Sequence, residues 1–229
     1  MKKYAVIVAA GNGSRMGNQI PKQFLMLAGK PILLYSIEAF LKSFFDINII
    51  LVVPYTHLDT ATSIVSLCPE NSLITVLAGA DSRFGSVKIG LEKTSDDAVI
   101  FIHDGVRCLL SEDLILRCYE GALKNGNAIP AIGSVDSVRI QKKGGNESVP
   151  REYVKLVQTP QTFRGKIIRD AFKNAKGEHF TDEAAVAESN GVQVHLVEGE
   201  QTNLKITHPA DMLLADLIIR ERNLISSEE

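Results

Sequence analysis

The residues best equipped for chemistry lie close together near the N-terminus. Ala9-Ala10-Gly11-Asn12-Gly13-Ser14-Arg15-Met16 follows the apolar run Tyr4-Ala5-Val6-Ile7-Val8, and Pro21-Lys22-Gln23 comes shortly after. A buried strand that ends in small residues opens backbone N–H groups at the C-terminal edge of a sheet. Glycines there let a polyphosphate approach the main chain closely. Arg15 and Lys22 add two fixed cations to the same loop. This is equipment for a nucleoside triphosphate, although the loop alone also fits a glycine turn with two solvated cations. Two better-known nucleotide loops are disfavoured. Gly11-x-Gly13-x-x-Met16 lacks the third glycine of a dinucleotide fingerprint, because Gly17 comes one residue late. The second strand, residues 47–53, ends in Pro54-Tyr55-Thr56 with no carboxylate for a ribose, and Gly29-Lys30-Pro31 is not a Walker sequence.

The elements that must position this loop follow an α/β rhythm. Apolar strands are predicted at residues 4–8, 47–53, 73–78, 98–103 and 128–132, alternating with helical patterns. That alternation is the signature of a mostly parallel, Rossmann-like sheet flanked by helices. Helices are expected after Pro31, at 58–67, at 85–91, after Ser111 with Gly126 past the end, at 165–175, after Thr181 up to Gly191, and from Pro209. Segments 192–197 and 204–207 are predicted to close the sheet. The pattern changes between residues 134 and 158. There, residues 135–140 and 153–157 alternate like two strands about the polar turn Lys142-Lys143-Gly144-Gly145-Asn146. A hairpin with no crossover helix would protrude from the core, and its unpaired edges call for a partner. It is read as an arm for homodimerisation within a single domain spanning residues 1–229.

Composition sets limits. With 229 residues, 45% hydrophobic and 23% charged, the chain is of ordinary globular type. A net charge of -2 gives no electrostatic case for a nucleic-acid partner. The apolar run after Lys2-Lys3 is too short for a signal or membrane span. Cys68, Cys108 and Cys118 have no metal-site spacing, so reduced thiols in a cytoplasmic protein are the simplest reading. The five histidines show no metal-ligand arrangement, and His103 reads as a strand-end core residue.

With these pieces in order, the chain resembles the 2-C-methyl-D-erythritol 4-phosphate cytidylyltransferases, also called 4-diphosphocytidyl-2-C-methyl-D-erythritol synthases. The likeness runs from about residue 4 to 220. It is carried by the first loop with Pro21-Lys22-Gln23, by Asp81-Ser82-Arg83 with Ser86-Val87, and by His103-Asp104 with Arg107. Gln158-Thr159-Pro160-Gln161, Thr181-Asp182-Glu183-Ala184 and Asn203-Leu204-Lys205-Ile206-Thr207 complete it. The chain departs from the family's usual form at Cys108, where a proline is typical, at Gly105-Val106, and at Ser137.

The resemblance implies a nucleotide-diphospho-sugar transferase type of fold and the condensation of CTP with methylerythritol phosphate, releasing pyrophosphate. The nucleophile is a phosphate monoester, already anionic, so catalysis amounts to positioning and cationic stabilisation. Catalytic roles fall to Arg15 and Lys22 at the triphosphate, and to Arg151 and Lys205 at the acceptor phosphate. Removal of Arg15 or Lys22 should cost on the order of 3 kcal/mol of transition-state stabilisation. CTP contacts are expected from Ala9, Ala10, Gly11, Gly13, Gly79, Asp81, Arg83 and Ser86. Acceptor contacts are expected from Asp104, Arg107, Ser137, Thr159 and Thr181. Mg²⁺ is the implied counter-ion, and Asp104 is left open between the metal and substrate hydroxyls. Arg151 and Ser137, on the arm, would serve the other subunit's site. The alternatives are a ribitol 5-phosphate cytidylyltransferase and a nucleotide sensor that kept the fold without turnover.

Overall fold

The computed structural model describes residues 1–11 and 20–225, except for the side chains of residues 223 and 225, so Gly13 and Arg15 lie outside the described residues. Strand β1 (Lys2–Val8) leads through Gly11, and a turn at Lys22–Phe24 precedes the short antiparallel pair β2 (Met26–Leu27) and β3 (Lys30–Pro31). Helix α1 (Ile32–Ser43) starts directly after Pro31, whose missing N–H and fixed φ suit a helix entry. β4 (Ile47–Val53), α2 (Leu58–Val65), β5 (Ile74–Ala78), α3 (Arg83–Leu91) and β6 (Ala98–Asp104) follow. Helix α4 (Glu112–Asn125) is bounded as its sequence predicts. Leu114 N–H donates to Ser111 Oγ at the start, and Gly126 takes the left-handed φ of 88° at the end.

β7 (Asn127–Gly133) is followed by an isolated hairpin, β8 (Val138–Lys142) and β9 (Gly145–Val149). Then come β10 (Lys155–Val157), β11 (Gln161–Arg164), α5 (Gly165–Asn174), α6 (Glu183–Ser189), β12 (Leu196–Glu198) and α7 (Pro209–Ile225). The main sheet has eight strands in the order β10-β7-β11-β6-β1-β4-β5, with β12 added beside β7. β6, β1, β4 and β5 are parallel to one another, and β11 runs antiparallel between β6 and β7.

Period-two alternation along β6 sends Val99 and Phe101 to one face and Ala98, Ile100 and Ile102 to the other. The first face packs against α1, α2 and α4 around Phe40, the second against α3, α5 and α6 around Phe84 and Phe172. A third cluster seats α7 through Ala215 and Ile219 on Leu27, Ile32 and Ile206.

Two expectations are corrected. The returning strand of the arm is Gly145–Val149, paired as Lys142↔Gly145, instead of residues 153–157. Gly144, at a φ of 91°, permits a two-residue turn that closes the hairpin at once, and Pro150 ends it because proline cannot donate to a ladder. Residues 155–157 pair with β7 in the main sheet. Residues 204–207 form no strand. Among the backbone bonds of that segment, Ile206 N–H reaches the Val106 carbonyl at 3.0 Å, outside any ladder. Strand β11, with its buried polar Gln161 and Thr162, was not anticipated.

Candidate active site

The C-terminal ends of β1, β5 and β6 open onto a cavity of about 230 Å³, where wound α/β sheets place their ligands. One wall is mostly main chain. Gln23, buried, donates from Nε2 to the carbonyls of Ala9 (2.6 Å) and Gly11 (3.0 Å), while Ala9 N–H is tied to the Val52 carbonyl at 2.8 Å. The loop after β5 is fastened by Ser86, whose hydroxyl accepts from Ala80 N–H at 3.1 Å and donates to the Ser82 carbonyl at 2.9 Å. Ser82 caps α3 by accepting from Gly85 N–H and links outward to Glu178 at 3.0 Å. Ala9, Ala10, Gly11, Asp81, Arg83 and Ser86 all line the cavity, and Gly79 packs immediately behind Ala10 and Ser86.

The opposite wall is ionic. Asp104 ends β6 on the cavity floor, buried. Its Oδ1 accepts from Arg83 Nε (3.2 Å) and Nη2 (3.1 Å). Its Oδ2 lies 2.9 Å from Lys205 Nζ and 3.7 Å from Arg107 Nε. Burial alone would raise the Asp104 carboxyl, but Arg83, Lys205 and Arg107 outweigh it and hold the group well below the usual carboxylate range. Arg83 is clamped from its other side by Glu183, which receives Nη1 on Oε1 and Nη2 on Oε2. The guanidinium therefore stays charged despite burial, because Glu183 and Asp104 both face it.

Lys22 joins this wall from the far end of the chain. Its buried ammonium donates to the Ile206 carbonyl at 2.5 Å, one residue from Lys205. A relay behind Asp104 sets the strand end. Asp104 N–H donates to Thr159 Oγ1 (3.1 Å), Thr159 donates to His103 Nδ1 (3.0 Å), and His103 Nε2 faces the Arg107 carbonyl at 3.2 Å. A carbonyl only accepts, so Nε2 carries the proton and Nδ1 accepts. Burial pushes His103 down to about 4, against the opposing pull of Asp104.

The structure thus brings together Lys22, Lys205, Asp104 and the CTP-side residues within the described chain. Arg107 sits behind Asp104, with Nη1 donating to the Asn203 carbonyl at 2.8 Å. Thr159 is buried and spends its hydroxyl on the relay, so its placement differs from the substrate contact expected of it. Thr181 is exposed just before the Asp182 cap of α6. Arg151 lies in a turn after the arm, on neither of its strands, and donates to the Val135 carbonyl at 3.1 Å; Ser137 is exposed at the base of the arm. Neither lines the cavity. Gln23 and Glu183 were not anticipated as site residues. Glu183 shares the i, i+3, i+4 face of Val186 and Ala187, and an acid on a buried helical face is a signal the sequence does carry.

The family model for 2-C-methyl-D-erythritol 4-phosphate cytidylyltransferase matches residues 4–221. The chain belongs to this family. The cytidylyltransferase of this name from Phocaeicola vulgatus is 39% identical over 219 residues, covering 96% of this chain and 100% of the relative. That from Bacteroides thetaiotaomicron is 40% identical over 222 residues, covering 96% and 100%. Among solved structures, 4-diphosphocytidyl-2C-methyl-D-erythritol synthase from Anaerococcus prevotii superposes with a TM-score of 0.83 at 29% identity, covering 96% of this chain and 98% of that one. The 2-C-methyl-D-erythritol 4-phosphate cytidylyltransferase from Thermus thermophilus gives a TM-score of 0.76 at 30% identity, covering 96% and 100%. The likeness expected from the motifs is therefore real and spans nearly the whole chain.

Proposed function

We infer that this chain joins CTP to 2-C-methyl-D-erythritol 4-phosphate, giving 4-diphosphocytidyl-2-C-methyl-D-erythritol and pyrophosphate for isoprenoid synthesis. The observation that carries this reading is the meeting of Lys22 and Lys205 at one cavity, through the Ile206 carbonyl, at the C-terminal edge of the sheet. A phosphate monoester oxygen attacks the α-phosphorus of CTP, and the bond to the pyrophosphate oxygen breaks. No proton has to be removed from the nucleophile, so the work is electrostatic: two anions must meet, and charge gathers on the leaving group. Lys22 faces the triphosphate, and the resemblance assigns Arg15, outside the described residues, the same role. Lys205, held beside the site by Asp104, faces the acceptor phosphate. The main-chain groups of Ala9–Gly11 and of residues 79–83 supply donors and acceptors for cytosine and ribose, and the small residues let the base edge approach them closely.

The acceptor site is completed by a second protomer. The exposed hairpin of β8 and β9 serves as the dimer contact, and Arg151 and Ser137 reach the partner's cavity, where Arg151's planar fork suits a phosphate. Among the described residues no group of three or more His, Cys, Asp or Glu side chains could hold a metal ion. Asp104 has both oxygens engaged by Arg83, Lys205 and Arg107, so an Mg²⁺ here would be carried by phosphate oxygens and water. Such an ion, when bound, neutralises charge on the triphosphate. No helix among the described residues is long and apolar enough to cross a membrane, and the three cysteines are free and buried, which suits a reducing cytoplasmic compartment.

The test is pyrophosphate release with CTP, ATP, GTP and UTP, each against methylerythritol phosphate and ribitol 5-phosphate, with and without magnesium. Turnover confined to CTP, methylerythritol phosphate and magnesium is the expected result. Turnover of ribitol 5-phosphate alone would replace the acceptor, and CTP binding without turnover of either would mark a sensor. Nothing in the relatives favours ribitol phosphate.

A further inference from the structure

We propose that Glu183 is a positioning residue for the acceptor half of the site, acting through Arg83 and Asp104 on Lys205. This rests on the functional reading above and extends it to a residue outside the cavity lining.

Glu183 is 1% exposed, in the first turn of α6. That turn is held from two sides. Asp182 accepts from Ala185 N–H at 3.0 Å, and Gln161 of β11 accepts from Ala184 N–H at 2.7 Å while donating to Asp182 Oδ2 at 2.9 Å. A carboxylate so placed cannot follow a moving partner; the partner must come to it. Arg83 does so with both Nη atoms, and this bidentate fork fixes the plane of the guanidinium. The edge left over, Nε with Nη2, then meets one oxygen of Asp104 only, Oδ1. Oδ2 is thereby left to Lys205 at 2.9 Å. The order Glu183–Arg83–Asp104–Lys205 alternates in charge from the helix to the cavity.

The charges explain why the buried acid is needed. Without Glu183, Arg83 has Asp104 as its one carboxylate and competes with Lys205 for it. An amide at position 183 also turns an N–H₂ group toward an Arg83 N–H. Asp104 rotates toward Arg83, and Lys205 loses the contact that places it. The CTP wall is spared, because Arg83 belongs to it through its main chain and the loop is held by Gln23, Ser86 and Ser82, none of which touches Glu183.

The experiment compares wild type, Glu183→Gln and Glu183→Asp for kcat and for both KM values by pyrophosphate release, with thermal melting as the folding control. Glu183→Gln is expected to lower kcat/KM for methylerythritol phosphate by roughly tenfold to a hundredfold, while KM for CTP stays within about threefold. Glu183→Asp should restore part of the loss. An Arg83→Gln, Glu183→Gln cycle adds the decisive comparison: if Glu183 acts through Arg83, the double variant is no worse than Arg83→Gln alone. Losses that multiply, a wild-type kcat/KM in Glu183→Gln, or a fall in kcat matched by the fraction unfolded with both KM values unchanged, would overturn the proposal. Should Glu183→Gln not fold, the Asp variant carries the same KM comparison. If the wild type turns over no polyol phosphate, the functional reading itself fails. The coupling is then read from thermal unfolding of the same cycle, where independent effects of the two sites would sink it.

Discussion

Lys22 and Lys205 carry the same charge but are anchored differently, and this sets what each substitution does. Lys22 is buried and donates to a neutral carbonyl, whereas the Lys205 side chain is 39% exposed and paired with Asp104. Lys22→Met and Lys205→Met should each lower kcat/KM by about a hundredfold to a thousandfold, with unchanged circular dichroism. The Lys205 variant should show its loss in KM for the acceptor, the Lys22 variant in kcat. Near wild-type rates for either would remove that cation from the reacting phosphates. Gly79 tests the other wall. A Cβ there would come within 2.6 Å of Ala10 Cβ and 2.8 Å of Ser86 Oγ, so Gly79→Ala should push Ala10 into the cavity and raise KM for CTP severalfold. At this scale the sequence was most legible where functional residues lie close along the chain, as in Ala9–Gly11 with Lys22. The burial of Glu183 was legible on its helical face, but its partner Arg83 and the Thr159 relay were not, because those depend on residues far away in sequence.

Elements were legible where both ends carry a chemical signal. β4 lies between Asp46 and Pro54, and α4 between Ser111 and Gly126, and both have the predicted bounds at their signals. Segment 204–207 alternates like a strand, with Leu204 and Ile206 packing beneath α7 and Lys205 turned to Asp104, yet it joins no ladder. Periodicity reports which side chains are buried, and it cannot report whether a neighbouring backbone edge is vacant. The arm was misregistered for a related reason: two stretches, 145–149 and 155–157, could return along β8, and the local turn at Gly144 decides for the nearer. Replacement of residues 138–149 by a short glycine turn should leave the main sheet intact and abolish turnover, and should convert the dimer proposed above to a monomer in sedimentation. A dimer that survives this deletion would show that the contact lies elsewhere.

For the molecule as a whole, the relay histidine ties acid sensitivity to the site. His103 has a folded value of about 4 against an ordinary 6.5, so between these the unfolded chain binds more protons. Stability is therefore undiminished above about pH 6.5 and is lost as pH falls toward 4, by on the order of 3 kcal/mol at most. Asp104 works in a lower window: its depressed value adds stability above the ordinary carboxylate range that is lost only in stronger acid. Urea midpoints at pH 7 and pH 4.5 should differ, and His103→Gln should narrow the difference. An unchanged gap would assign the acid loss to other groups.

The order in which the chain is synthesised also bears on the site. The ammonium of Lys22 rests on a carbonyl at position 206, itself in a segment fastened to Val106 and seated under α7. A nascent chain emerging from the ribosome can complete its central strands long before that carbonyl exists. Lys22 thus waits for a carbonyl 184 residues further on, and no translation product cut short of that residue can carry a working centre.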